Sequence, residues 1–263
     1  MKNFAALLAA LPLAGCINLA DAGALVDVSV LDRSSGQELE VYRHRGRLYV
    51  AGKPGNRYAV VLRNKGSGRV LTVLSVDGVN ALNGQTAATS QAGYVLSAGQ
   101  SAEIAGWRKS MDDVAAFYFT RLEDSYAGRT DRPQNVGVIG VAVYREAAPP
   151  PPQVTMPSRE ADAAGKAESA SPNAAAKAAA PASEEARDRQ AASRLGTGHG
   201  ERISAPTQYT EFRRASEAPA EMLTIYYDSR ARLLAQGIIP RPRPTPNPLP
   251  NPFPGGFTPD PRS

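Results

Sequence analysis

Residues 57–84, RYAVVLRNKGSGRVLTVLSVDGVNALNG, form the densest apolar, β-branched stretch of the chain. Two runs rich in Val and Leu, Tyr58–Leu62 and Val70–Val76, flank Asn64-Lys65-Gly66-Ser67-Gly68, whose residues tolerate positive φ and close turns. The pattern predicts two strands joined as a central hairpin. In the second run both alternating sets, Val70/Thr72/Leu74/Val76 and Leu71/Val73, are largely apolar. That predicts a strand covered on both faces rather than wetted on one.

Working outward, short strand patterns recur at the spacing of an all-β sandwich. Val26, Val28 and Val30 alternate with Asp27, Ser29 and Leu31 and run into a turn at Asp32-Arg33-Ser34-Ser35-Gly36. Glu38–His44 and Arg47–Val50 predict a hairpin about Arg45-Gly46. Asp77-Gly78 and Asn83-Gly84 are turn dipeptides around the short segment Val79–Leu82. Tyr94–Leu96, Ala102–Trp107, Val114–Leu122 and Val136–Tyr144 complete the strand set, with Glu123–Asn135 a polar loop. Phe117, Tyr118 and Phe119 form an aromatic block whose expected place is between the sheets. With about nine strands and no strong helical periodicity, the expected fold is mainly β: an antiparallel two-sheet β-sandwich, immunoglobulin-like or jelly-roll, over residues 25–146.

Composition changes at Ala147. Residues 147–194 are Ala, Ser, Pro and charged residues with hardly a large apolar side chain, which predicts a disordered linker. Residues 195–240 read as a small ββα segment. It has a glycine-rich turn at Leu195–Arg202, strands at Ile203–Phe212 and Met222–Tyr227, and a helix at Ser229–Gln236 capped by Asp228 or Ser229 and stopped at Gly237. So few residues cannot hold a core alone, so the segment is expected to dock on the β-domain or, by exchange, on a second copy in a homo-oligomer. Residues 241–263 alternate proline with other residues and read as a Pro-rich disordered tail.

The 30 Lys and Arg against 25 Asp and Glu leave a formal charge of +5, spread along the chain, so nucleic acid is not an expected partner. A single cysteine, Cys16, excludes an internal disulfide and a cysteine-based metal cluster. Residues 1–15 have the parts of a signal peptide: Lys2 near the start, the apolar stretch Phe4–Leu13, then small residues. Leu13-Ala14-Gly15-Cys16 resembles the lipobox of bacterial lipoproteins. The resemblance implies diacylation of Cys16 as the new N-terminus, residues 16–24 as a tether, and, because Ile17 is not aspartate, the outer membrane. The alternative is ordinary cleavage after Ala20-Asp21-Ala22, giving a soluble periplasmic or secreted chain.

Chemistry-bearing motifs are sparse. His44 and His199 are the only histidines, and neither a G-x-S-x-G nor a phosphate-cradling glycine loop is present, although Gly196-x-Gly198-His199-Gly200 resembles one loosely. No metal site or cofactor is expected. Trp107, Arg108, Lys109, Asp112 and Tyr126 are the candidate binding surface, because a tryptophan beside cations can stack on a sugar or clasp an anion. The same tryptophan at a strand end also fits a plug in the sandwich edge. His199 is the remaining candidate. The expected function is a non-enzymatic binding or structural module of the cell envelope, with an envelope protein or glycan as partner. The alternatives are a carbohydrate-active enzyme, which requires Asp112, Glu123 or His199 to converge in a cleft, and a subunit of an envelope assembly.

Overall fold

Alternation of valine with polar residues makes β1 (Val26–Asp32) a one-sided strand, with Val26, Val28, Val30 and Asp32 buried. The computed structural model describes residues 23–148 and 194–241. The signal peptide, lipobox, linker and Pro-rich tail expected from the sequence lie outside the described residues, apart from the linker's first and last residues and Arg241. β1 ends where Asp32 accepts the Ser34 N–H at 2.8 Å and the Asn56 amide at 2.6 Å, closing the expected turn. β2 (Gln37–Glu38) returns along β1. β3 (Val41–His44) and β4 (Arg47–Gly52) form the expected hairpin, with Arg45 at φ 50° and Gly46 at φ 74°, the two consecutive positive values that a tight hairpin turn requires.

The central hairpin does not form. β5 (Tyr58–Asn64) pairs with β1 on one side and β9 (Ser101–Ile104) on the other. β6 (Val70–Val76) belongs to the second sheet, between β12 (Val138–Arg145) and the short strands β7 (Val79–Asn80) and β8 (Tyr94–Leu96). The chain therefore crosses between sheets after Asn64. That residue is fully buried: its amide donates to the carbonyls of Gly68 (2.8 Å), Ser97 (2.9 Å) and Leu96 (3.2 Å), and its Oδ1 accepts the Gly66 N–H (2.9 Å). One side chain thus satisfies the backbone of a corner, and two strongly apolar strands are placed face to face instead of side by side.

The first layer holds a four-stranded sheet ordered β2-β1-β5-β9 and a three-stranded sheet ordered β10 (Gly106–Arg108), β11 (Asp113–Arg121) and β13 (Leu195–Ser204), linked by a bridge between Arg57 and Tyr118. The stretch expected as one strand bends at Ala105, whose carbonyl accepts the Phe117 N–H, so β9 serves one ladder and β10 the next. The second layer orders as β3-β4-β14-β12-β6, with β14 spanning Glu221–Ser229. β14 runs antiparallel to β12 but parallel to β4, the one departure from an antiparallel β-sandwich. Within the Glu123–Asn135 loop lie a single helical turn, α1 (Tyr126–Arg129), capped by Ser125, and a 3-10 turn at Pro133–Asn135. α2 (Arg230–Ala235) is capped by the Ser229 hydroxyl and closed at Gly237, φ 71°, as expected.

The 195–240 segment holds two strands and a helix, β13, β14 and α2. Its strands join different layers, β13 on β11 and β14 between β4 and β12. The glycines of 195–200 are strand residues rather than a turn, and β13 ends at Ser204. A Cβ on Gly196 would come within 2.6 Å of Ser125 and 2.7 Å of Val136, and one on Gly198 would overlap the Tyr118 ring, so these glycines permit close packing.

Between the layers Tyr58 stacks on Phe119 at 4.2 Å and on Phe117 at 5.4 Å, so the aromatic block fills the core as expected, with Tyr118 half-exposed on the other face. Leu71 and Val73 of β6 point outward with Ala142 and Tyr144, and Phe212 packs over them. Farther along, Leu233, Ile238 and Ile239 cover Tyr42, Tyr49 and Ala51. The two-sided cover expected of β6 is therefore present.

Candidate functional site

Three of the residues singled out in the sequence meet. Trp107 on β10, Tyr126 at the start of α1 and His199 on β13 are brought together because β10 and β13 are the two neighbours of β11. Ring centroids lie at 4.9 Å for Trp107–Tyr126, 5.4 Å for Tyr126–His199 and 6.3 Å for Trp107–His199, the last pair near-parallel at 11°. The roles differ from those of a stacking surface. Trp107 is 2% exposed and meets Phe117 edge-on at 4.7 Å, so it plugs the sandwich edge and presents no face to a ligand. Its indole N–H has no hydrogen-bond partner among the described residues.

Arg108 is turned inward as well. Its Nη1 donates to the carbonyls of Ala205 (2.5 Å), Ser110 and Met111 (each 3.3 Å), which braces the β10–β11 turn against the start of the strap that follows β13. Lys109 and Asp112 are exposed on that turn, and the Asp112 carbonyl accepts the Ala205 N–H. The surface that remains is the exposed His199 ring beside half-buried Tyr126, with the Arg132 guanidinium 5.6 Å from the Tyr126 centroid. Partial burial, reinforced by Lys109 and Arg129, holds the His199 imidazole below its ordinary range.

The carboxylates do not converge. Asp112 precedes β11 and Glu123 follows it, and a nine-residue strand between them spans about 27 Å. A glycosidase needs its pair about 5–10 Å apart. His199 stands opposite Phe117, midway along β11, away from both. No three His, Asp or Glu side chains among the described residues are grouped to hold a metal ion.

The strongest polar constellation was invisible in the sequence, where Asp77-Gly78 is only a turn. Asp77 is 1% exposed, at φ 54°. Its Oδ1 accepts the Gly137 N–H (2.9 Å) and the Tyr227 hydroxyl (2.5 Å), and its Oδ2 accepts the Thr197 N–H (2.7 Å). Thr197 Oγ1 in turn bonds the hydroxyls of Tyr227 (2.6 Å) and Tyr58 (2.5 Å). Burial pushes the Asp77 carboxyl up to about 6 despite these donors, and burial with the nearby Asp77 charge raises both tyrosines well above their ordinary value. Every member is enclosed and engaged within the core, so the group joins β5, β13, β14 and the turn after β6 rather than facing a substrate.

Comparison with protein-family models, curated proteins and solved structures found no match.

Proposed function

We propose that the protein is an exported, lipid-anchored cell-envelope component that acts as a non-enzymatic binding or structural module. The observation that carries this reading is the placement of the sole cysteine at the end of Leu13-Ala14-Gly15-Cys16, seven residues before Gly23, where the described fold begins. The lipobox supplies the anchor, and two or more acyl chains make such an anchor lasting. No helix among the described residues is long and apolar enough to cross a membrane, so lipid is the means of attachment this reading uses. The burial of Trp107, the engagement of Arg108 by backbone carbonyls, and the distance between Asp112 and Glu123 support a module over a glycan-cleaving enzyme. The exposed cationic-aromatic rim at Tyr126 and His199 is the part of the candidate surface left for an envelope protein or glycan.

Replacing Cys16 with Ser and fractionating the cells tests the anchor. The wild type is expected in the membrane pellet and extractable with detergent, and Cys16→Ser in the soluble periplasmic fraction; unchanged partitioning sinks the reading. A homo-oligomer by segment exchange is favoured by one feature, the insertion of β14 between two strands of the preceding domain after 45 intervening residues, 149–193, outside the described fold. Light scattering on the detergent-solubilised protein distinguishes a dimer from a monomer.

A further inference from the structure

Strand register places the chain's exits. Val26 stands opposite Asn64 and Arg145 opposite Val70. β14 runs parallel to β4, with Ile225 beside Leu48, so the Arg45-Gly46 turn lies level with Met222 and Leu223. One end of the sandwich therefore carries Gly23, where the chain arrives from its N-terminus, and Ala148, where it departs. It also carries Gln236 and Ile238, which line a cleft with Arg45 and Arg47 just before Arg241. The arrival is fastened. The Glu221 carboxylate accepts the backbone N–H groups of Ala24 (2.5 Å), Leu25 (2.9 Å) and Val26 (3.2 Å), and Lys65 Nζ donates to the Gly23 carbonyl at 2.9 Å. Seven residue steps from Cys16 to Gly23 reach no more than about 25 Å, so an anchored protein holds this end at the bilayer.

The end is built unlike the other. Tyr209, 92% exposed, and Met222, 64% exposed, are the two exposed large hydrophobic residues of the described fold, and both are here. Tyr209 precedes Thr210 and Glu211, to which Arg69 donates, and Met222 follows Glu221. Arg45, Arg47 and Arg213 are exposed around them and pair with no carboxylate among the described residues. Of the nearby acids, Glu146 is held by Arg69 at 2.8 Å and Glu221 by the chain start; Glu211 and Glu217 are the exposed counterweights.

We infer that this end is a bilayer-contacting face that binds anionic phospholipid headgroups through Arg45, Arg47 and Arg213 while Tyr209 and Met222 enter the interfacial layer. Cations within a Debye length of an anionic leaflet are drawn to it, and exposed amphipathic or apolar side chains add burial at the headgroup level. The inference deepens the lipid-anchor reading and rests on it for its orientation. Its consequence is a fixed pose, with the Asp77 end of the sandwich facing away from the membrane.

The chain beginning at Gly23, which keeps every described residue and lacks Cys16, separates the two questions, since the Cys16→Ser fractionation reports on the anchor alone. Cosedimentation with phosphatidylglycerol/phosphatidylethanolamine vesicles is expected to exceed that with phosphatidylcholine vesicles at least tenfold and to be lost in 0.5 M salt. Arg45→Glu with Arg47→Glu is expected to lower binding about tenfold, and Tyr209→Ser with Met222→Ser several-fold. Lys53→Glu with Arg121→Glu, at the opposite end, is expected to change nothing. The serine pair changes only exposed side chains, so it keeps the test valid should the hairpin variant misfold. Equal binding to both vesicle types, equal loss from the opposite-end variant, or binding to soluble heparin without binding to vesicles overturns the inference.

Discussion

Two regions, Tyr58–Val76 and Leu195–Ser229, are both strand-rich, and their sequences invite opposite conclusions. The first holds two seven-residue strands joined by Lys65–Arg69, and the strands never pair. The second holds two strands far from their partners along the chain, and each is paired, β13 on β11 and β14 on both flanks. Proximity along the chain did not decide pairing. What decided it was which apolar faces needed cover: Tyr58, Val60 and Leu62 on one sheet, and Leu74 and Val76 on the other, are best buried against each other across the sandwich.

The largest effect expected from this contrast comes from removing the distant region. A chain truncated at Arg194 loses β14 from between β4 and β12 and leaves two central ladders unpaired, so the cooperative thermal transition of the β-domain should disappear. Proteolytic nicking within 149–193 should leave the two fragments associated on gel filtration, with the transition retained. Persistence of the transition in the truncated chain breaks the contrast.

Next in size are single buried groups that tie the distant region to the near one. Trp107→Ala removes a side chain packed on Phe117 and should cost about 3–5 kcal/mol in denaturant unfolding, whereas a residue kept for a ligand would cost little. Asp77→Ala leaves the N–H groups of Gly137 and Thr197 and the Tyr227 hydroxyl without their acceptor and should cost about 3 kcal/mol or more. Gly196→Ala, which presses on buried Ser125 and Val136, should cost about 1–3 kcal/mol by overpacking.

The smallest effect is a pH dependence of unusual sign. The Asp77 carboxyl is raised to about 6 in the folded state, above its ordinary value of 3.8, so the folded state binds this proton more tightly than the unfolded state. Its contribution is fully present below about pH 4 and is lost as pH rises through 6. Between pH 7 and pH 5 this group alone should add about 1 kcal/mol to stability. The difference between wild type and Asp77→Asn, measured by urea melts at both pH values, isolates it from the other carboxylates; a difference that does not change with pH contradicts the burial argument.

Much of the strand set was legible because alternation and turn dipeptides are local properties. The β3–β4 hairpin, the turn at Asp77-Gly78, the cap at Ser229 and the stop at Gly237 all fall where their residues indicate. Partners were not legible. A five-residue polar connection serves a hairpin or a corner equally well, and the side chain that makes it a corner, Asn64, finds its acceptors at Leu96 and Ser97, more than thirty residues on. The glycines of β13 read as a turn because the ring and side chains that demand them, Tyr118, Ser125 and Val136, lie on other segments. At the candidate site the sequence supplied Trp107, Tyr126 and His199 without their depths, and burial of the tryptophan follows only from the arrival of β11 and β13 beside β10. Asp77 remained hidden for the same reason, since its partners come from β13, β14 and the approach to β12.

Native-state hydrogen exchange of the backbone amides on β14 tests most directly whether two separated stretches of chain form one folding unit. Leu223, Ile225 and Tyr227 are buried, and β14 has ladder partners on both sides. Slow exchange is predicted for the ladder-bonded amides of β14, at the same free energy of opening as those of Ile139–Val143 on β12 and with a common denaturant dependence. Exchange of the β14 amides at a lower free energy, while β12 stays protected, would contradict the account and make the C-terminal segment an appendage.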